Sequence, residues 1–190
     1  MPSTLVLASG SPRRRELLEN AGLRFSVRPA DVDESLKPGE LAEPYVRRLA
    51  EAKARAVWRE GELTLGADTI VVVSGEILGK PANESEAHKM LAELSGRAHD
   101  VLTGYCVFNG ERAATGVETT KVFFRPLSAR EIAAYASSGE PLDKAGAYGI
   151  QGLASKFVER IEGCYFNVVG LPVARTTSLL DQLTPAQEHR

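Results

Sequence analysis

Apolar and polar positions fall in blocks along this chain, and each block implies an element. Leu5-Val6-Leu7-Ala8 is an unbroken apolar run that passes straight into Ser9-Gly10-Ser11-Pro12-Arg13-Arg14-Arg15-Glu16, the order expected of a short strand feeding a helix. Pro12 suits the first helical position because its φ is already helical and its missing N–H would have had no partner, which makes Ser11 the N-cap. That helix should close at Ala21-Gly22, and residues 24–28 then alternate around Phe25 and Val27 like a strand. The polar stretch 31–39 predicts a surface loop. Pro44 opens a long helix in which Val46, Leu49, Ala50, Lys53, Ala56 and Val57 share one face, with Lys53 at its edge. Residues 63–73, apolar on both faces and rich in β-branched side chains, predict a covered central strand.

Asn83 with Glu86 resembles a capping box, and Ala87, Met90, Leu91 and Leu94 give the helix it opens an apolar stripe closed by Gly96. Residues 101–108 and 117–124 predict antiparallel strands about Asn109-Gly110. Ser128 with Glu131 caps a helix to about residue 137. A glycine-rich loop, 139–152, precedes strands near 157–161 and 165–169, a last helix runs from 172 to about 183, and 184–190 reads as a frayed tail. Crossover helices mixed with hairpins imply one α/β domain over residues 1–190, with a mixed twisted sheet flanked by helices.

The chain has 190 residues, 43% hydrophobic and 25% charged, with a net charge of −2. That balance provides no global basic field, so neither extended nucleic-acid binding nor an anionic membrane surface is expected. No apolar run is long enough to span a bilayer and no leader pattern opens the chain, which points to a cytoplasmic protein. Cys106 and Cys164 match no metal spacing and sit in strand-like apolar surroundings, as buried thiols do.

Candidate chemistry starts at the first helix. Free N–H groups and the helix dipole make its N-terminus an anion site, and arginines there oppose the dipole unless an anion offsets them. An ordinary capped helix with a solvated basic turn is the bland alternative. Asp68 interrupts an apolar strand, where an unpaired carboxylate is costly, so it either bonds nearby backbone N–H groups or works on a ligand. Asp31, Asp33 and Glu34 offer hard oxygen ligands, and Asp68 could share a divalent metal with Glu34 or Asp33. Lys80 lies in Gly75-Glu76-Ile77-Leu78-Gly79-Lys80-Pro81, which fails as a P-loop on glycine spacing, on Pro81 and on the lack of a following helix. Lys80 remains a point charge on a turn, and Lys53 a lysine beside an apolar face. The loop Gly146-Ala147-Tyr148-Gly149-Ile150-Gln151-Gly152 lacks dinucleotide spacing but permits close approach to a flat ligand, unless Tyr148 simply fills the core. His88, His99 and His189 share no ligand or relay spacing.

Taken together, Leu7-Ala8-Ser9-Gly10-Ser11-Pro12-Arg13-Arg14, Gly66-Ala67-Asp68-Thr69, Lys80-Pro81, Leu94-Ser95-Gly96 and Asp143-Lys144-Ala145-Gly146-Ala147-Tyr148-Gly149-Ile150-Gln151-Gly152 resemble the Maf-type nucleoside triphosphate pyrophosphatases over nearly the whole chain, in the branch that acts on dTTP and UTP. The resemblance implies a fold like that of the inosine triphosphate pyrophosphatases, with two lobes and a cleft, a divalent cation (Mg²⁺ or Mn²⁺), and often a homodimer. It implies Asp68 as general base and Glu34 as its partner in metal binding or catalysis. Arg13, Thr69 and Gln151 become specificity positions, and Ser9, Arg14, Lys53 and Lys80 line the triphosphate site. Arg15 receives no role, and Asp33 competes with Glu34. The competing expectations are a broader pyrophosphatase for modified nucleotides and a nucleotide-sensing or nucleic-acid-binding regulator of septum formation.

Overall fold

The strand-turn-helix opening forms as its residue types dictate. The computed structural model describes residues 4–183, so the expected tail at 184–190 and His189 lie outside the described residues. Strand β1 (Thr4–Leu7) leads to helix α1 (Pro12–Asn20), where the Ser11 side chain accepts from the Arg14 N–H. Gly22 (φ 74°) ends the helix: its N–H donates to the Glu19 carbonyl, and the Leu23 N–H donates to that of Leu18. This pair of bonds is a Schellman closure that needs a left-handed residue at that point.

Strands β1, β2 (Ser26–Val27), β3 (Glu62–Val73), β4 (Glu76–Leu78), β5 (Ala98–Phe108), β6 (Ala113–Phe124) and β7 (Val158–Glu162) form one mixed sheet. Its order is β2-β1-β3-β5-β6-β7, with β4 paired to β3. β1 is parallel to β2 and β3, whereas β3–β4 and β6–β7 are antiparallel. The chain divides into two compact units. One holds the residues up to Asp68, Thr103–Glu118 and those from Gly170 onward; the other holds Thr69–Leu102 and Thr119–Val169.

In the first unit, helix α2 (Ala42–Val57) lies directly on the sheet. A Cβ on Gly66 of β3 would stand 2.1 Å from the Ala50 carbonyl oxygen, and one on Gly104 of β5 would stand 2.2 Å from that of Val46. Glycine at both positions lets helix backbone touch strand backbone. Val46, Leu49, Ala50, Ala54 and Val57 are buried there, with Ala54 taking the place expected of Ala56, which is exposed. α2 starts two residues before Pro44, and the expected strand at 24–28 shortens to the two exposed residues of β2. Helix α6 (Val173–Leu183) completes this part of the chain.

The core of the second unit gathers Ala87, Leu91 and Leu94 of α3 (Glu84–Leu94) and Ile132, Tyr135 and Ala136 of α4 (Ala129–Ala136) around Val71, Val101, Val122, Phe124 and Phe157. Both helices carry the caps expected: Asn83 accepts from the Glu86 N–H, and Ser128 and Glu131 form a complete capping box. Residues 74 and 75 join β3 to β4 as a hairpin, because Ser74 (φ 51°) and Gly75 (φ 85°) supply the two left-handed residues of a tight turn. Two expectations fail. Tyr165–Val169, expected as a strand, is a short helix α5. Thr120 ties down its start, exchanging hydrogen bonds with the Cys164 N–H and carbonyl, and Asn167 reaches inward to the Val101 carbonyl, so tertiary bonds override β-propensity. Cys164 is consequently half-buried just before α5, while Cys106 is buried and the pKa of its thiol is pushed up to about 12 by that burial.

Candidate active site

The three consecutive arginines have three separate environments. Arg14 is buried and works inside the protein: its Nε donates to the Gly170 carbonyl at 2.8 Å, and its Nη1 to the Ala67 carbonyl at 2.9 Å and to Ser9 Oγ at 3.1 Å. Burial lowers its pKa, and the nearby Asp68 charge partly opposes that shift. Ser9 Oγ also accepts from the Ser11 N–H at 3.2 Å, which fixes the turn before the helix. Arg15 is exposed and pairs with Glu19 one helical turn on, at 2.7 Å. Arg13 is half-buried at the start of the helix.

Asp68 and Lys53 form the centre of the cluster. Lys53, expected at the margin of the α2 face, is buried, and its Nζ lies 2.7 Å from Asp68 Oδ1 and 2.6 Å from Glu34 Oε1. The Gly66 approach makes this contact reachable, because it sets α2 against β3 within one lysine length of Asp68. The Asp68 side chain is only 13% exposed and that of Glu34 is 53% exposed, so one carboxylate is enclosed and the other sits at the surface. An enclosed carboxylate needs a charged or hydrogen-bonding partner, and Lys53 supplies it.

Between the two neighbouring acids, Glu34 is the one that joins the cluster. Asp33 Oδ1 instead accepts from the Ser35 N–H at 2.9 Å, and that bond holds its carboxyl below the usual range. Tyr45 and Arg48, both on α2 and not singled out from the sequence, secure the loop that delivers Glu34. The Tyr45 hydroxyl donates to the Glu34 carbonyl at 2.7 Å, and Arg48 donates to the Ser35 carbonyl at 3.0 Å and pairs with Glu40. Their three-residue spacing on one helix face was the available signal.

Ser9, Arg14, Glu34, Lys53 and Asp68 are thus brought together in the first unit. Thr69, half-buried, follows Asp68 in β3 and opens the second unit. Lys80 and Gln151 are exposed in that second unit. The Gly146 N–H donates to the Gly79 carbonyl at 3.0 Å, which ties the glycine-rich loop to the turn bearing Lys80. Tyr148 is not a ligand platform: it is buried in the core, 2.7 Å from His99 Nε2, with its ring edge-on to Phe124.

Asp68 and Glu34 each place one carboxylate oxygen on the Lys53 ammonium. Two converging carboxylates suit Mg²⁺ or Mn²⁺ when phosphate oxygens and water complete the shell. No cluster of three or more His, Cys, Asp or Glu side chains exists among the described residues. A divalent cation here would need substrate and water oxygens for most of its ligands.

Fold and cluster define the class: a mixed α/β protein that joins an arginine-bearing helix start to a lysine bridging two carboxylates. The model of the Maf-like protein family matches residues 4–183. The chain belongs to this family. It is 56% identical over 185 residues to a dTTP/UTP pyrophosphatase of Anaeromyxobacter sp. strain Fw109-5, covering 95% of this chain and 89% of the relative. It is 53% identical over 178 residues to a dTTP/UTP pyrophosphatase of Syntrophomonas wolfei, covering 92% and 94%. Among solved structures, the Staphylococcus aureus Ham1 protein aligns with a TM-score of 0.46 at 16% identity, over 64% of this chain and 72% of its own.

Proposed function

We propose that this chain hydrolyses the α–β phosphoanhydride of dTTP and UTP, giving the nucleoside monophosphate and pyrophosphate. Relatives of that name share more than half of its residues over nearly its full length, and the Lys53–Asp68–Glu34 cluster is the structural observation that carries the reading. Lys53 holds Asp68 Oδ1, and Oδ2 is assigned to the attacking water. Water oxygen bonds to the α-phosphorus as the α–β bridging P–O bond breaks. Its proton passes to Asp68, and the bond electrons leave on pyrophosphate. Arg13, Arg14, Lys53 and Lys80 balance phosphate charge, with Ser9 fixing the turn. Mg²⁺ or Mn²⁺, held by Asp68, Glu34 and substrate oxygens, would supply further charge neutralisation at the phosphates. Arg13, Thr69 and Gln151 select the substrate; the Gln151 carboxamide can pair with both a pyrimidine carbonyl and its ring N–H.

The same reading carries a cytoplasmic location and a homodimer. No helix among the described residues is long and apolar enough to cross a membrane. A panel of nucleoside triphosphates with Mg²⁺, Mn²⁺ or chelator, assayed for pyrophosphate, tests the reading. Release confined to dTTP and UTP is expected, abolished by chelator and reduced about 10³-fold or more in Asp68→Asn while nucleotide binding persists. Equal release from modified and unmodified bases would indicate a broader pyrophosphatase, and no release from any would indicate a nucleotide sensor.

A further inference from the structure

The segment that carries Gln151 is held at both ends by one pair of side chains outside the machinery described so far. The Gly152 N–H donates to the Gly149 carbonyl at 3.1 Å, closing a turn with Ile150 and Gln151 at its centre. At its start, the Gly149 N–H donates to the Tyr135 hydroxyl at 3.3 Å. At its end, the Leu153 N–H donates to Glu140 Oε2 at 3.1 Å. Tyr135 and Glu140 are themselves joined, the hydroxyl donating to Oε1 at 2.9 Å. The turn is also packed from beneath. A Cβ on Gly152 would stand 2.1 Å from Glu140 Oε1, and one on Gly149 would stand 2.7 Å from Lys144 Cε. A side chain at either glycine would require Glu140 or the Lys144 stem to move.

We propose that Glu140 and Tyr135 are positioning residues for base selectivity, locking the Gly149–Gly152 turn so that Gln151 meets the hydrogen-bonding edge of a pyrimidine. This rests on the assignment of Gln151 as a specificity residue. A carboxamide that must match both a donor and an acceptor on its ligand loses discrimination when its backbone drifts by about 1 Å, a displacement that costs rate and selectivity steeply. The residues assigned above to the phosphates, Arg13, Arg14, Lys53 and Lys80, lie outside this turn, so the loss is expected to fall on the choice of base.

The test compares Glu140→Ala, Tyr135→Phe, Gln151→Ala and the double variant Glu140→Ala/Gln151→Ala in the full-length protein. The readouts are kcat/KM for dTTP, UTP and dCTP, inhibition by inorganic pyrophosphate, and thermal melting. Tyr135→Phe keeps the buried ring and loses only the hydroxyl, so it reports even if Glu140→Ala folds poorly. Expected is a fall of about tenfold in the preference for dTTP over dCTP in each single variant, with pyrophosphate inhibition within about twofold of wild type and no further loss in the double variant. Unchanged preference in Tyr135→Phe and in folded Glu140→Ala, while Gln151→Ala erodes it, overturns the proposal and leaves the Gln151 assignment standing. Unchanged preference in Gln151→Ala overturns that assignment and the proposal with it.

Discussion

Neighbouring residues of one type separate by what their side chains can reach. Arg14 is drawn inward by the Gly170 and Ala67 carbonyls, Arg15 is held outward by Glu19, and only Arg13 keeps a half-exposed place at the helix start. Residue type marked this turn as an anion site, but the division of labour depends on carbonyls that come from positions 67 and 170. His99 gives a sharper case. Burial drives its pKa from 6.5 down to about 4, so the ring stays neutral beside Tyr148 over most of the accessible range. Below pH 6.5 the unfolded chain takes up a proton that the folded protein refuses, and stability falls as pH drops from 6.5 to about 4, by about 3 kcal/mol in all. Glu40 and Glu131, held down to about 2 chiefly by Arg48 and Arg125, contribute stability that is lost only below their ordinary 4.5. Denaturant titrations from pH 7 to 4.5 should therefore show a slope that His99→Gln removes, and an unchanged slope in that variant would refute the assignment.

Elements defined by local chemistry were legible, and those defined by distant contacts were not. Asn83, Ser128, Ser11 and Gly22 each set a helix end with bonds inside four or five residues, and each end falls within a residue of where the sequence puts it. Residues 165–169 are apolar and strand-like by composition, yet Thr120, forty-odd positions earlier, converts them to a helical turn. The β3–β4 hairpin did carry a local signal in Ser74-Gly75, obscured by its partial likeness to a phosphate loop. The α2–β3 contact is the element-level feature on which the site depends. Gly66→Ala would drive a methyl group into the Ala50 carbonyl and the Ala54 nitrogen, lift α2 and part Lys53 from Asp68. The expected cost is about 1–3 kcal/mol, a melting point lower by roughly 2–4 °C per kcal/mol, with turnover falling alongside. Gly79→Ala, which meets nothing within 4 Å, should leave melting unchanged or slightly raised. Equal melting points in the two variants would show that the close approach is not needed.

At the scale of the whole molecule, the sequence conveys the mixed sheet, its central strand and the residue types of the site, because alternation, caps and a carboxylate in an apolar strand are all written locally. It does not convey that Lys53 lies between Asp68 and Glu34 rather than at the helix margin, since that follows from two glycines, Gly66 and Gly104, on different strands. Nor does it distinguish Glu34 from Asp33, which differ only in whether the carboxylate turns back to its own loop or reaches α2. In the proposed reaction water attacks the α-phosphorus and pyrophosphate leaves. The most direct measurement is product analysis of dTTP turned over in ¹⁸O-labelled water by the wild-type protein with Mg²⁺ or Mn²⁺. The expected products are dTMP and pyrophosphate in equal amounts, with the label in dTMP. Label in pyrophosphate, or release of dTDP and inorganic phosphate, would contradict it.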